Sequence, residues 1–336
     1  MLILGWLLVA VLALSWVMTG GMRRYALQHN MMDLPNQRSS HCVPTPRGGG
    51  MAIVVSFLVA LLVAWLMSWL PTAANVAFLG AGCLVALIGF LDDRGHVPAG
   101  WRLLVHFCAA AWGLYWLGGL PVLSVGGEKL ELGWLGIALG LLYLVWLLNL
   151  YNFMDGIDGI AGIEAVTTCL AVVLICLLMD NEKAALAPAL LGLAAAGFLL
   201  WNFPPAKIFM GDAGSGFLGL MLGLISVQMA WLEPMMFWVW LILLGVFLVD
   251  ASVTLLRRLM RGERVYQAHR DHAYQHAASQ YGRHLPVTLA VAAINLFWLM
   301  PLAIWAVAGG NIWLILLLAY LPWVCLALKY RAGLLE

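Results

Sequence analysis

Along the chain, long apolar runs alternate with short polar stretches, and the runs rather than any amphipathic period dominate the pattern. Eleven of them are long enough to be candidate membrane spans: residues 1–19, 51–70, 75–91, 103–120, 132–149, 160–179, 185–201, 216–232, 235–256, 286–307 and 311–328. A bilayer leaves backbone polar groups no partner but one another, so such runs are read as helices. The expected fold is an all-α polytopic membrane helix bundle of about 11 transmembrane helices, forming a single integral-membrane domain over residues 1–336. No internal repeat is evident. The segment 121–131, with Pro121, Gly126 and Gly127, predicts a small turn or hairpin between two spans.

Composition agrees with this pattern. Of 336 residues, 64% are hydrophobic and only 10% charged, which excludes an ordinary soluble globule. Seventeen tryptophans suit anchoring at membrane interfaces, and 35 glycines suit close helix packing and turns. The six cysteines have no CxxC spacing and mostly lie inside apolar runs, so neither a disulfide framework nor a zinc cluster is expected.

The net charge of +1 hides an uneven distribution. Arg23 and Arg24 follow the first apolar run, and no basic leader precedes it, which favours a retained helix with its N-terminus outside over a cleaved signal peptide. With eleven spans in that orientation, 15 of the 17 basic residues face the cytoplasm and only Lys129 and Lys183 lie outside. The C-terminus is then cytoplasmic. Five polar segments distant in sequence share that inner face.

The stretch from Asn149 to Gly162 follows an apolar run and precedes another, so its acids sit where a span emerges. Asn149, Asn152, Asp155 and Asp158 recur every third residue, which rotates a helix face by about 60° per step. One straight helix therefore cannot aim all four at one ligand, and Gly156, Gly159 and Gly162 offer places to bend. Ordinary helix ends would explain some of these residues; two asparagines and two aspartates between apolar segments favour a metal or phosphate site. Asp92 and Asp93, at the end of the third run, form an adjacent pair suited to a hard divalent ion or to proton acceptance.

Two further stretches carry phosphate chemistry. Pro44 to Gly50 joins prolines and glycines to Arg47 but lacks the ending of a Walker loop. Asn202 to Ser215 includes Lys207 and Asp212, with Ser215 expected to cap the next helix. A helix start with free N–H donors suits phosphate oxygens, and Asp212 suits magnesium. In the last inner loop, His269, His272 and His276 would form one stripe if helical. Arg270 beside them favours phosphate or nucleotide contacts over zinc. Asp250 and His106 lie in or near spans, Asp250 being the better functional candidate.

Together these segments resemble the polyprenyl-phosphate N-acetylhexosamine-1-phosphate transferases, and they occur in that family's order. The resemblance implies transfer of a sugar 1-phosphate from a UDP-N-acetylhexosamine to undecaprenyl phosphate, with Mg2+ (or Mn2+) as cofactor and UMP released. It implies a multi-pass protein of the bacterial inner membrane with a cytoplasmic active site, membrane lipids and a second copy of the chain as partners, and no nucleic acid. By that resemblance Asp92, Asp93, Asp155, Asp158 and His272 are catalytic. Arg47, Asn149, Asn152, Lys207 and Arg270 contact the donor, and Asp212 with Asp92 holds the metal. The family's later histidines are replaced here by Tyr274 and Gln275, which disfavours a MurNAc-pentapeptide donor. That substitution is similar to Pseudomonas-type O-antigen initiators, implying FucNAc, QuiNAc or GlcNAc as the sugar. A transporter of sugar phosphates or lipid-linked anions is the competing reading. The odd span count and the gathering of polar motifs on one side weigh against it.

Overall fold

The computed structural model describes residues 2–35, 41, 43–95, 97–125, 128–263 and 270–334. Every apolar run falls on a helix. In chain order these are α1 (Leu2–Gln28), α2 (Met51–Leu66), α3 (Thr72–Arg94), α4 (Ala99–Leu117), α5 (Gly133–Met154), α6 (Ile160–Leu178) and α7 (Leu186–Asn202). After them come α8 (Asp212–Leu232), α9 (Met235–Leu243), α10 (Gly245–Met260), α11 (Ala273–Tyr281), α12 (Leu285–Ile294), α13 (Met300–Val307) and α14 (Ile312–Lys329). A π-helical turn at Asn295–Leu299 joins α12 to α13.

Among the described residues, seven helices are long and apolar enough to cross a membrane, or eight if the bent pair α9 and α10 is one span. The protein is thus an all-α polytopic membrane bundle. The run 235–256 is not one straight helix: α9 and α10 meet at 70°. The apolar helices α2 and α7 have 16 and 17 residues.

α8 is the hub. In its most apolar window 83% of residues are buried, against 17% in α1, which faces outward. α8 packs against α5 and α3 most extensively and also meets α2, α4, α6, α7 and α9. A helix apolar on all sides belongs in the interior of such a bundle. The large side chains Trp240, Tyr151, Phe57, Phe78, Phe198 and Phe217 fill the same core.

Among the described residues, two short antiparallel pairs punctuate the helices. Leu123–Val125 pairs with Glu128–Leu130, the expected hairpin. Met32–Asp33 pairs with Thr45–Pro46, fixing the start of the loop that carries Arg47. That loop is zipped to the segment before α8: Phe209 N–H donates to Pro46 O at 2.8 Å, Gly49 N–H to Phe209 O at 2.9 Å and Gly50 N–H to Met210 O at 2.8 Å.

Some helix ends differ from the apolar pattern because polar residues continue the helix at the membrane edge. α3 runs through Asp92, Asp93 and Arg94, and α1 carries Arg23 and Arg24 within its last turns. α8 starts at Asp212, so Ser215 lies inside its first turn instead of capping it. Ser215 Oγ turns to Gly211 O at 3.2 Å and to Asn152 Oδ1 at 3.3 Å.

Candidate active site

A cavity of about 380 Å³ opens where α3, α5 and α8 end or begin. Asp33, Asp93, Asp155, Asp158 and Asp212 line it, together with Arg47, His41, His284, Asn152, Asn202 and Gln275. Among the described residues, five carboxylates therefore face a space with a single lining arginine.

The α8 end of the cavity is built by Asp93. Its Oδ1 accepts from Asp212 N–H at 3.0 Å and its Oδ2 from Ala213 N–H at 3.2 Å, so a carboxylate from α3 caps α8. Gly211 makes this approach possible: its φ is +79°, and a Cβ there would lie 2.6 Å from Asp93 Oδ2. Gly50 meets Gly214 as closely, since a Cβ on Gly50 would sit 2.4 Å from Gly214 Cα. Arg47 reaches across to donate to the backbone carbonyl of Asp93.

Asp92 points elsewhere. Its Oδ1 accepts from Val97 N–H at 2.8 Å and its Oδ2 from Arg102 at 2.5 Å, and it is not among the cavity-lining residues. The same arginine nitrogen lies 3.1 Å from Asp212 Oδ2. Adjacent in sequence, the two aspartates thus have separate tasks.

At the other end, α5 stops at Met154 and the chain turns through Asp155 to Gly159, whose φ of +75° precedes α6. Asn202 staples this turn to the segment after α7, accepting from Gly159 N–H at 3.0 Å and donating to Ile208 O at 2.9 Å. Asp158 Oδ2 accepts from Ala206 N–H at 3.0 Å, and His284 Nδ1 lies 3.1 Å from Asp158 Oδ1. Burial opposes the charge on Asp158. The hydrogen bonds from His284 and Ala206, with the charges of His284 and His41, outweigh it and hold the carboxyl below its usual value. Asp155 has no such help. Burial, then the negative charges of Asp212, Asp93 and Asp158, push its carboxyl well above the ordinary range.

Asn152 lines the cavity, but Asn149 lies outside it, its amide donating to Val145 O one turn back at 2.7 Å. The rotation of about 60° per step turns Asn149 away from the wall that Asn152 lines. Lys207 is exposed, its ammonium 5.6 Å from the Trp201 ring centroid, and Arg270 donates to Ser279 Oγ at 3.1 Å; neither lines the cavity.

His272 is buried and precedes α11 instead of joining a histidine stripe. Its Nδ1 lies 3.4 Å from Asp250 Oδ1. Asp250 repeats the device of Asp93, accepting from the Ala273 and Tyr274 N–H groups at 2.9 Å each. His269 lies outside the described residues. α11 reaches the cavity through Gln275, while Tyr274 donates to Phe153 O at 2.9 Å.

Arg102, His284, His41 and Asp33 carried no distinctive local signal. Arg102 sits in an apolar helix, and His284 lies 126 residues from the aspartate it meets.

Among the described residues, no group of three or more His, Cys, Asp or Glu side chains is arranged to hold a metal ion. The donor chemistry nevertheless fits a hard divalent cation: oxygen ligands in excess, with Asp155 carrying uncompensated neighbouring charge. Asp155 and Asp212 suit that role. Asp92 suits it less, since both of its oxygens are engaged.

A family model for glycosyl transferase family 4 matches residues 75–230. The Bacillus subtilis Probable undecaprenyl-phosphate N-acetylglucosaminyl 1-phosphate transferase is 28% identical over 320 residues, covering 91% of this chain and 85% of the relative. A Mycobacterium tuberculosis Decaprenyl-phosphate N-acetylglucosaminephosphotransferase is 30% identical over 238 residues, covering 65% and 58%. A Moorella thermoacetica Phospho-N-acetylmuramoyl-pentapeptide-transferase is 33% identical over 199 residues, covering 55% and 61%. The chain thus spans most of the Bacillus relative and between half and two thirds of the other two.

Proposed function

We propose that this chain, a homologue of the undecaprenyl- and decaprenyl-phosphate N-acetylhexosamine-1-phosphate transferases, transfers an N-acetylhexosamine 1-phosphate from a UDP-sugar to undecaprenyl phosphate in the bacterial inner membrane. The product would initiate O-antigen or a related polysaccharide, with FucNAc, QuiNAc or GlcNAc as the sugar. All eleven apolar segments are taken as spans, with a periplasmic N-terminus and a cytoplasmic active site, because that orientation places most basic residues inside.

The observation that carries this reading is the meeting of Asp155 and Asp212 at one cavity beside Arg47, from segments far apart in sequence. Phosphoryl transfer between two anionic substrates needs alignment and charge compensation more than a reactive side chain. Asp155 and Asp212 would hold Mg2+, which when bound offsets the charge of the donor diphosphate. Arg47 and Asn152 orient phosphate oxygens from the cavity wall. Asp158, fixed by His284 and Ala206, shapes the donor side. An oxygen of the lipid phosphate attacks the β-phosphorus, the bond to the α-phosphate oxygen breaks, and UMP departs. The acceptor's remaining proton, with a pKa of about 6, is largely lost at neutral pH, so no strong base is required. Asp93 is committed to capping α8, and its part in the reaction is to seat Asp212.

The test is incubation of purified protein with undecaprenyl phosphate, Mg2+ and a panel of UDP-N-acetylhexosamines. Equimolar UMP and lipid-linked sugar phosphate are expected. Vesicle uptake of substrate without UMP release would instead support a transporter. Full activity and unchanged Mg2+ dependence in Asp212→Asn would remove the metal assignment.

A further inference from the structure

One carboxyl group deep in the bundle has no part in this chemistry. Glu164, in the second turn of α6, is fully buried. Its Oε2 accepts from Asn295 Nδ2 at 2.7 Å, and the same amide nitrogen donates to Thr167 Oγ1 at 2.8 Å. Asn295, at the start of the π-helical turn, is also buried. Glu164 Oε1 and Asn295 Oδ1 remain as two buried acceptors without a donor. No ion pair to Glu164 occurs among the described residues.

An unpaired carboxylate inside a membrane bundle is costly. A carboxylic acid facing a primary amide removes the cost with one hydrogen: Oε1–H donates to Oδ1 while Nδ2–H donates to Oε2, and both orphan atoms are satisfied together. The turn that leads into α6 is also tied to the start of α12 at the cavity. Thr288 Oγ1 donates to Asp158 O at 2.7 Å, and His284 Nδ1 meets Asp158 Oδ1 at 3.1 Å. At 1.5 Å per residue, Asn295, the first residue after α12, stands about 10 Å beyond Thr288 along the helix direction. Two clamps at that separation set both the height and the rotation of α12 on α6.

We propose that Glu164 is a positioning residue: as a neutral acid doubly hydrogen-bonded to Asn295, it fixes α12 against α6 and so holds His284 on Asp158. This rests on the cavity being the transferase site. It requires no contact between Glu164 and substrate.

The variants are Glu164→Gln, whose amide can form both bonds, Glu164→Leu, Asn295→Leu and the double leucine variant, each as full-length protein in nanodiscs. Wild type minus Glu164→Gln infrared difference spectra are expected to contain a carboxylic-acid C=O band; a carboxylate band in its place overturns the neutral acid. Glu164→Gln is expected to keep the KM for the nucleotide sugar within about twofold. Either leucine variant raises it at least about fivefold, and the double variant is no worse than a single one. An unchanged KM in Glu164→Leu, or equal impairment of the Gln and Leu variants, overturns the proposal. Should Glu164→Leu not fold, the Gln variant and the spectra still decide. If wild type transfers no sugar phosphate, the functional reading fails separately. Hydrogen exchange over residues 156–160 then tests the clamp, with acceleration expected in the leucine variants and not in Glu164→Gln.

Discussion

Arg102 stands between Asp92 and Asp212, its Nη1 2.5 Å from Asp92 Oδ2 and 3.1 Å from Asp212 Oδ2. One guanidinium from α4 thus compensates two carboxylates, one of which faces the cavity. A cation bound at Asp212 has to share that carboxylate with Arg102.

Replacing Arg102 by Met should therefore tighten the metal requirement while slowing turnover, because two close carboxylates lose their fixed counter-charge. A gain of about 1.4 kcal/mol in cation binding corresponds to roughly a tenfold lower half-saturating Mg2+ concentration. Mg2+ titrations of UMP release measure it. An unchanged midpoint would mean that Arg102 does not compete with the metal.

Asp155 makes the metal-free protein sensitive to pH. Its carboxyl is held well above the ordinary value, so the folded state favours the protonated form. The associated stability is fully present below the unfolded pKa and is lost as pH rises through the folded one. Without divalent cations, Tm should fall across that rise. Asp155→Asn should flatten the profile and raise Tm on its alkaline side, and saturating Mg2+ should restore stability to the wild type. Thermal denaturation with and without chelator tests all three.

Gly211→Ala should be among the most damaging small substitutions. The added Cβ must adopt φ +79° and would lie 2.6 Å from Asp93 Oδ2, displacing the cap of α8. Backbone strain alone costs about 1–2 kcal/mol, and losing the cap adds about 1 kcal/mol. Gly262 has a similar φ of +73° but nothing within 4 Å of where a Cβ would sit, so Gly262→Ala should carry the backbone cost alone. Comparing Tm and kcat of the two variants separates strain from the lost contact.

Asp250→Asn should act through α11. The carboxylate accepts from two successive backbone N–H groups and an asparagine amide replaces one acceptor with a donor, at a cost of about 1–2 kcal/mol. Because α11 carries Gln275 into the cavity, the KM for the nucleotide sugar should rise more than kcat falls. Steady-state kinetics over a range of UDP-sugar concentrations checks the split.

The helices were legible in the chain because a bilayer demands long apolar segments with internally paired backbones, and each such run is helical, although 235–256 breaks into two helices. The grouping of Arg47, Asn152, Asp155, Asp158 and Asp212 at one cavity was also legible, since apolar runs dictate where polar segments emerge. Side-chain direction was not. Asp92 and Asp93 are neighbours, yet helix rotation sends one to Arg102 and the other to the start of α8. Asn149 and Asn152 differ by less than one turn, and only the second reaches the cavity. His272, which the resemblance places among the catalytic residues, packs on Asp250, whereas His284 was a loop residue until folding set it on Asp158. Local sequence thus determined which segments form apolar helices and which acids lie at their ends. Which carboxylates are capped, paired or left facing the cavity was decided by tertiary contacts, several of them between residues more than a hundred positions apart, and no local pattern encodes such contacts.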